Sequence, residues 1–314
     1  LIAMTLFRNY DEDKRLDYVK RYYDAISTFK INIPTPIMAG VRTPLRQFAS
    51  CVLVDSDDTL DSIFSSDMAI GRYVAQRAGI GINAGRIRGL GAKIRGGEVQ
   101  HTGVIPFLKK FEATVRSCTQ NGVRGGSATV HFPIWHQEIN DIIVLKNNKG
   151  TEDNRVRKLD YSIQLSKLFY ERFLKNEEIT LFSPHDVKGL YEAFGTPQFD
   201  ELYEKYERAT SIPKTKVSAR ELFTAILKER AETGRIYIMN IDHCNSHSSF
   251  TDKVNMSNLC QEITLPTDPI SHIDGEGEIA LCILSAINVG TIKLDELSNL
   301  CDLAVRGLEE LIDF

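Results

Sequence analysis

The sequence predicts an α/β fold with mostly parallel strands. Short apolar runs, such as 48–54 and 178–183, alternate along the chain with longer stretches whose apolar residues recur at helical spacing. Parallel strands are buried on both faces, so they read as continuous apolar segments. The 314 residues, 42% of them hydrophobic, suffice for one large domain or two ordinary domains with a deep core.

The elements follow one another in a regular order. Pro34 and Pro36 end the first helix, and Asp57 begins the second. The segment 241–278 is too long for an ordinary connection, so it is either functional or disordered. Helices are expected at 11–30, 57–78, 104–118, 136–145, 159–174, 198–209, 217–233 and 294–313, and strands at 48–54, 128–132, 178–183, 235–240 and 279–284.

The charge balance is slightly acidic, since 38 lysines and arginines face 42 aspartates and glutamates. This argues against nucleic acid as a partner but allows small phosphorylated ligands, which need only local positive charge. No apolar run approaches the roughly 20 residues of a membrane-spanning helix, and the first residues lack the pattern of a signal peptide. We therefore expect a cytoplasmic protein. Because the chain begins without Met and ends in an apolar helical pattern, we also expect a piece of a longer polypeptide.

Two glycine- and arginine-rich segments, 79–97 and 120–127, are candidate phosphate sites. Glycine lets backbone N–H groups approach phosphate oxygens, and arginine offers a bidentate fork. The spacing matches neither the dinucleotide-binding fingerprint nor the P-loop. Ordinary turns with solvated arginines are therefore the more frequent explanation of this pattern taken alone.

The six cysteines form no CxxC pair, which argues against a zinc ribbon. The segment 242–247 resembles a metal site, because His243 and His247 are four residues apart and Cys244 lies beside them. It lacks a helical pattern and the paired ligand spacing of zinc sites, so we expect a loop without metal. His131 and His136 are expected in the core or in an interface.

The segment 257–263 carries the clearest chemical pattern. In an extended backbone, residues two apart project to the same side, so Asn258, Cys260 and Glu262 would face one space. A functional interpretation is a thiol beside a general base. A structural interpretation is a cysteine in a loop with solvated neighbours, and the residues alone leave both open.

Asn258-Leu259-Cys260-Gln261-Glu262 strongly resembles the finger loop of the large, catalytic subunit of class I ribonucleotide reductase. Further matches occur in order along essentially the whole chain, which is far more specific than any one motif. They fall at 34–44, 46–51, 76–81, 83–97, 145–148, 181–187 and 277–282.

The resemblance implies the family's ten-stranded α/β barrel, here the first parallel half-barrel, the finger loop (241–278) and the start of the second half. Residues 1–34 would be a helical lead-in, and 35–314 a partial catalytic barrel. Four family parts have no counterpart: the N-terminal ATP cone, the second half of the barrel with its phosphate loop, the radical-transfer tyrosines and the C-terminal cysteine pair. We therefore expect this piece alone to be inactive.

The resemblance also implies the reduction of ribonucleoside diphosphates to deoxyribonucleoside diphosphates. Cys260 would become a thiyl radical that takes the ribose 3′ hydrogen, Glu262 would be the general base, and Asn258 would hydrogen-bond the substrate. Cys51 and Cys282 would be the redox pair that ends as a disulfide. Taken without the resemblance, each cysteine lies in an apolar strand and would be interpreted as a core residue. The further substrate-contacting positions would be Thr35, Ser50 and Gly79.

An allosteric effector site is implied as well, for ATP or a deoxynucleoside triphosphate. A loop would relay the identity of the effector through Gln120 and Arg124. In the family this site lies at a homodimer interface, where the helices at 61–78 and 159–174 would pack across a two-fold axis; core-facing helices are the alternative. The effector residues would be Asp58, Thr59, Leu60, Arg88 and Arg95.

No cofactor or metal is expected to bind this chain directly. The radical would come from a small subunit with a diiron-tyrosyl or related dimetal cofactor, and thioredoxin or glutaredoxin would reduce the disulfide. We expect no nucleic-acid or membrane partner. Gln261 stands where the family has an apolar residue, and we expect little effect from it.

Two alternatives stay open. One is an adenosylcobalamin-dependent reductase, which uses the same combination of a catalytic cysteine and glutamate. The glycyl-radical class of reductases is disfavoured by the presence of Glu262. The other is a non-catalytic nucleotide-binding fragment of a split subunit.

Overall fold

The computed structural model describes residues 1–41, 43–119 and 125–313. Its helices are α1 (Ile2–Leu6), α2 (Glu12–Ser27), α3 (Thr35–Gly40), α4 (Leu60–Ala75), α5 (Ile105–Ser117), α6 (Ile139–Ile142), α7 (Lys167–Lys175), α8 (Leu190–Ala193), α9 (Phe199–Arg208), α10 (Ala219–Thr233), α11 (Ile241–Ser246) and α12 (Leu297–Ile312). Its strands are β1 (Ile31–Asn32), β2 (Cys51–Asp55), β3 (Gly79–Asn83), β4 (Lys93–Ile94), β5 (Val99–Gln100), β6 (Ala128–Pro133), β7 (Asp160–Leu165), β8 (Glu178–Leu181), β9 (Thr215–Ser218), β10 (Ile236–Asn240), β11 (Ala280–Cys282) and β12 (Ala286–Ile287).

The chain divides into two compact units. The smaller consists of Leu1–Cys51, Gln76–Ala78 and Leu281–Phe314, and the larger of Val52–Ala75 and Gly79–Ala280. None of the helices in the described ranges is both long enough and apolar enough to cross a bilayer.

Parallel strands form the sheet of the larger unit, where neighbouring strands follow the order β10-β7-β6-β3-β2. The register pairs Tyr161 of β7 with Ile236 of β10 on one side and with Val130 of β6 on the other. Ala128 of β6 pairs in turn with Ile80 of β3. Every residue of β2, β3 and β6 is buried, as in a sheet covered on both faces. The predicted α/β fold with mostly parallel strands is confirmed.

The single helix predicted at 159–174 is wrong, because the segment contains strand β7 followed by helix α7. Ser166 separates them, and its Oγ accepts a hydrogen bond from the Phe169 N–H at 3.3 Å as the N-cap of α7. Before Ser166, Ser162 and Gln164 alternate with apolar residues at the two-residue period of a strand. The predicted dimer helix at 159–174 therefore reduces to α7.

Other segments also differ from expectation, among them Gly79–Asn83, which is strand β3 although it opens the segment 79–97 predicted as a glycine-rich loop. Only Ile139–Ile142 is α-helical within 136–145. Strand β9 lies just before α10 and pairs antiparallel with β8, so Val217 and Ser218 belong to a two-stranded sheet and not to the predicted helix 217–233. The segment 241–278 opens with helix α11 rather than with irregular chain.

The smaller unit is built around its own apolar core. Strands β1 and β12 pair antiparallel, with Ile31 opposite Ile287. Tyr22 of α2 is fully buried, and burial raises its pKa to about 12. A Cβ at Gly307 of α12 would lie 2.5 Å from the Tyr22 ring, so glycine permits the close approach of these two helices. The buried core residues include Leu6, Phe7, Ile37, Phe48, Leu300, Leu303 and Leu311.

Candidate active site

Polar side chains of the sheet hold the finger loop in the larger unit. Gln164 of β7 donates from Nε2 to the Asn255 carbonyl oxygen at 2.6 Å. Thr129 of β6 donates from Oγ1 to the Leu259 carbonyl oxygen at 2.6 Å. Because these bonds reach the loop backbone, they fix the path of the chain and not merely its side chains.

Two glycines of β3 let the loop lie directly on the sheet, with its backbone over Gly81 and the Leu259 side chain over Gly79. A Cβ at Gly81 would stand 2.1 Å from the Ser257 carbonyl oxygen and 2.9 Å from the Asn258 Cα. A Cβ at Gly79 would stand 2.5 Å from Cδ2 of Leu259. A larger residue at Gly81 would collide with backbone, and one at Gly79 would displace the Leu259 side chain, so the sequence Gly79-Ile80-Gly81 creates the seat of the loop.

The loop ends in a tight turn over 258–263, which we call the tip turn. The Gln261 N–H donates to the Asn258 carbonyl oxygen at 3.3 Å, which puts Leu259 and Cys260 at the apex. The Asn258 N–H donates to the Ile263 carbonyl oxygen at 3.3 Å, and the Ile263 N–H donates to Asn258 Oδ1 at 3.1 Å. These three bonds close the turn on itself.

The extended backbone predicted for 257–263 is therefore wrong. A chain that reverses direction within six residues cannot keep the two-residue alternation of a strand. Asn258 is fully buried inside the tip turn, whereas Cys260 and Glu262 are exposed. The thiol and the carboxylate are thus both accessible, while the amide supports the turn from within.

Tyr237 of β10 belongs to the surroundings of the thiol. Burial is the main cause that raises the pKa of this phenol, the neighbouring Cys260, Asp160 and Glu262 raise it further, and the Arg235 charge opposes them. The phenol therefore stays protonated near neutral pH, beside a thiol and a carboxylate. Such a set offers a nucleophilic or redox-active sulfur with a proton acceptor close by.

The smaller unit brings the two predicted redox cysteines near each other in its backbone. The Ser50 N–H donates to the Cys282 carbonyl oxygen at 3.1 Å, and Ser50 Oγ lies 3.8 Å from the Cys51 Sγ. Cys51 is buried and Cys282 is half-buried. Thr35 is exposed at the first residue of α3 in the same unit.

An ion pair occupies the region predicted to bind an effector. The Asp58 carboxylate accepts from the Arg88 backbone N–H at 2.7 Å and from its Nε at 2.8 Å. Arg88 also donates from Nη1 to the Lys93 carbonyl oxygen at 2.9 Å, so it joins the start of α4 to the β4–β5 hairpin. The His185 ring lies 3.5 Å from the same carboxylate.

The other predicted effector residues lie around this pair. Thr59, just before α4, accepts on Oγ1 from the Ser62 N–H in the first turn of that helix at 3.1 Å. Leu60 and Arg95 are exposed. The predicted relay residues, Gln120 and Arg124, lie outside the described residues.

A buried carboxylate fixes the end of the finger loop. Asp55 of β2 is fully buried and accepts from Asn83 Nδ2 at 2.7 Å and from Thr267 Oγ1 at 3.3 Å, with Arg86 Nε at 3.6 Å. Burial raises the pKa of Asp55 to about 6, although the Arg86 charge and both hydrogen bonds oppose this shift. Since Thr267 belongs to the loop, the network ties the returning chain to β2.

A cavity of about 350 Å³ opens beside this network, with Asn255 and Thr267 of the finger loop in its lining. Lys253 lines it as well and donates from Nζ to the Tyr191 carbonyl oxygen at 2.8 Å. Burial lowers the pKa of Lys253 to about 8. Charged groups of both signs therefore surround the base of the loop.

The metal-like segment 242–247 lies mostly in helix α11, so the expected loop is wrong. The Asn245 amide stabilises the helix by donating to the Ile241 carbonyl oxygen at 3.1 Å. Across the described ranges, no group of three or more His, Cys, Asp and Glu side chains could hold a metal ion.

The residues that support the loop were missed by sequence reasoning, although they leave a signal. Thr129, Ser162 and Gln164 are polar residues inside otherwise apolar buried strands, and each shares a sheet face with Gly79 and Gly81. Polar residues at alternate strand positions indicate a face that contacts backbone rather than an apolar layer.

One protein family accounts for most of the chain. The family model described as "Ribonucleotide reductase, barrel domain" matches residues 49–314. The chain therefore belongs to the ribonucleotide reductase family. The barrel described by the family model agrees with the predicted fold class.

Among curated proteins, the chain is similar to ribonucleoside-diphosphate reductase alpha subunits. It is 61% identical to that of Haemophilus influenzae over the whole chain and 42% of the relative. It is 60% identical to the alpha subunit of ribonucleoside-diphosphate reductase 1 of Escherichia coli over 86% of the chain and 36% of the relative. The alpha subunit of Enterobacteria phage T4 is 48% identical over the whole chain and 42% of the relative. The chain thus spans about two fifths of the length of these relatives.

Proposed function

We propose that this chain is the part of a ribonucleoside-diphosphate reductase alpha subunit that carries the radical-forming thiol. The observation that supports this most directly is the tip turn, which exposes Cys260 at its apex with the Glu262 carboxylate two residues away. The reaction is the reduction of ribonucleoside diphosphates to deoxyribonucleoside diphosphates, which supplies precursors for DNA. It takes place in the cytoplasm.

The chemistry assigns one role to each group. A thiyl radical on Cys260 takes the 3′ hydrogen atom of the ribose, and the Glu262 carboxylate accepts the proton of the 3′-hydroxyl. Asn258 hydrogen-bonds the substrate and supports the turn. One thiol of the Cys51 and Cys282 pair protonates the 2′-hydroxyl, which leaves as water. C2′ takes up the second proton and the two electrons of the pair, which becomes a disulfide, and Glu262 returns its proton to the 3′-oxygen. Cys260 then returns the hydrogen atom to C3′ and regains its radical.

Further contacts complete the proposal. Thr35, Ser50 and Gly79 contact the substrate. ATP or a deoxynucleoside triphosphate binds around the Asp58–Arg88 pair, with Thr59, Leu60 and Arg95, and Gln120 and Arg124 relay its identity. The subunit acts as a homodimer, receives its radical from a small subunit with a dimetal cofactor, and is re-reduced by thioredoxin or glutaredoxin.

The test uses an alpha subunit of the length of the curated relatives that carries this sequence, assembled with a radical-generating small subunit. Cys260→Ser should abolish formation of deoxyribonucleoside diphosphate while leaving the affinity for the effector unchanged, because the effector residues lie on other elements. Cys301→Ser, at a second exposed cysteine, is the matched control and should keep full turnover. Turnover by the Cys260→Ser enzyme would overturn the assignment of the radical.

A further inference from the structure

The Gln261 side chain joins the tip turn to two strands of the sheet. Its Oε1 accepts a hydrogen bond from Ser162 Oγ of β7 at 2.7 Å, and its Nε2 donates to the Ile238 carbonyl oxygen of β10 at 2.7 Å. A planar amide that satisfies both of its ends is held in one orientation. Ser162 and Gln261 are separated by 99 residues in the chain.

The backbone of Gln261 is also unusual. Its φ of +65° lies in the left-handed region, which costs a residue other than glycine about 1–3 kcal/mol. A glycine would relieve this cost, yet it would remove both side-chain hydrogen bonds. Strained residues of this kind persist where the surroundings fix them, and here the two bonds do so.

Gln261 anchors the loop on the C-terminal side of Cys260, whereas the other two anchors lie on its N-terminal side. The Thr129 and Gln164 bonds reach Leu259 and Asn255, which precede Cys260 in the chain. Gln261 follows Cys260 directly and closes the turn through its own N–H. The thiol therefore lies between an anchor on β6 at the preceding residue and an anchor on β7 and β10 at the following one.

We propose that Gln261 is a positioning residue, which fixes the direction of the Cys260 thiol through Ser162 and the Ile238 carbonyl. The inference rests on the function proposed above and replaces the expectation that a polar residue at this position has little effect. Hydrogen-atom transfer demands close alignment, and a displacement of about 1 Å at a reacting group costs on the order of 100-fold in rate. An apolar residue at 261 would keep the volume but lose both hydrogen bonds.

The experiment uses the assembled enzyme with Gln261→Leu, Ser162→Ala and the double variant. Gln261→Leu should lower kcat by about 10- to 100-fold with KM for the nucleoside diphosphate within twofold, because the substrate contacts remain. Ser162→Ala should lower kcat by a smaller factor, since the bond to the Ile238 carbonyl persists. The double variant should be no slower than Gln261→Leu, because both changes break the same hydrogen bond. Gln198→Leu, at an exposed glutamine just before α9, is the control and should match the unsubstituted enzyme.

A substrate deuterated at C3′ separates positioning from loss of folded enzyme. A misaligned thiol slows hydrogen transfer, so the deuterium isotope effect on kcat should rise in Gln261→Leu, whereas a smaller amount of folded enzyme would leave it unchanged. Wild-type kcat in Gln261→Leu, or an unchanged isotope effect, would overturn the proposal. If Gln261→Leu does not fold, kcat and the isotope effect of Ser162→Ala decide whether the proposal holds. An unsubstituted enzyme without turnover would instead contradict the proposed function itself.

Discussion

The backbone N–H of Ser50 donates to the carbonyl oxygen of Cys282 at 3.1 Å, across 232 residues of chain. The bond places the residue before Cys51 directly beside Cys282 within the smaller unit. A disulfide needs Cα atoms within about 7 Å of each other. We therefore expect mild oxidation to join Cys51 to Cys282.

Peptide mapping of the oxidised, unreduced protein by mass spectrometry checks this pairing. Cys118, Cys244 and Cys301 should be recovered as alkylated thiols, and Cys51 should become fully alkylated in a Cys282→Ser variant. Recovery of Cys51 in a disulfide with any other cysteine would contradict the prediction.

Gly81→Ala should destabilise the larger unit and displace the finger loop. The added methyl group would stand 2.1 Å from the Ser257 carbonyl oxygen, so the backbone of the loop must move. Overpacking of this kind costs about 1–3 kcal/mol, which urea denaturation measures as a lower free energy of unfolding. Gly290→Ala is the control, because its nearest neighbour would lie at 3.4 Å and its φ is not positive. Equal stability of the two variants would show that the loop does not rest on Gly81.

The buried carboxyl of Asp55 should make stability depend on pH. Its pKa is raised from 3.8 to about 6 in the folded state, so the folded protein binds more protons than the unfolded one between these values. The contribution is fully present below about pH 4 and is lost as the pH rises through about 6, amounting to roughly 2–3 kcal/mol.

Asp55→Asn cannot titrate at this position, so it isolates the effect. The free energy of unfolding of the unsubstituted protein, minus that of the variant, should fall from pH 4 to pH 7 in urea titrations at several pH values. A difference that is constant or rises with pH would mean that Asp55 is ionised throughout.

Asp58→Asn should weaken the binding of a deoxynucleoside triphosphate effector by about 10-fold or more. The carboxylate makes charge-assisted hydrogen bonds to the backbone and guanidinium of Arg88, which are worth about 1.5–3 kcal/mol each, and the amide cannot replace both. Equilibrium dialysis with a labelled deoxynucleoside triphosphate measures the dissociation constant. Asp153→Asn, at an exposed aspartate, should leave that constant unchanged. An equal effect of both variants on the dissociation constant would show that Asp58 does not belong to the effector site.

The sequence predicts the strands well where a run of apolar residues is buried on both faces. The run 128–132 and strand β6 agree closely, because continuous burial leaves an unmistakable pattern. The prediction of strands fails at 159–174, where Ser162 and Gln164 interrupt the apolar run and resemble the polar face of a helix. These two residues are polar because they bond to the finger loop, a contact that a local pattern cannot reveal.

Residue type and spacing single out candidates for the site but do not predict their geometry. Asn258, Cys260 and Glu262 stand out by type and spacing, yet the tip turn depends on the left-handed backbone of Gln261. Propensity alone does not favour that conformation for glutamine. It arises from a partner 99 residues earlier in the chain, which only the fold brings into reach.

The seat of the finger loop has a consequence for how the molecule assembles. Its anchors come from four strands, β3, β6, β7 and β10, whose residues span most of the larger unit. Contacts of such long sequence separation form late, after loop closure has been completed elsewhere. The turn that carries Cys260 can therefore take its final shape only when these four strands have already come together.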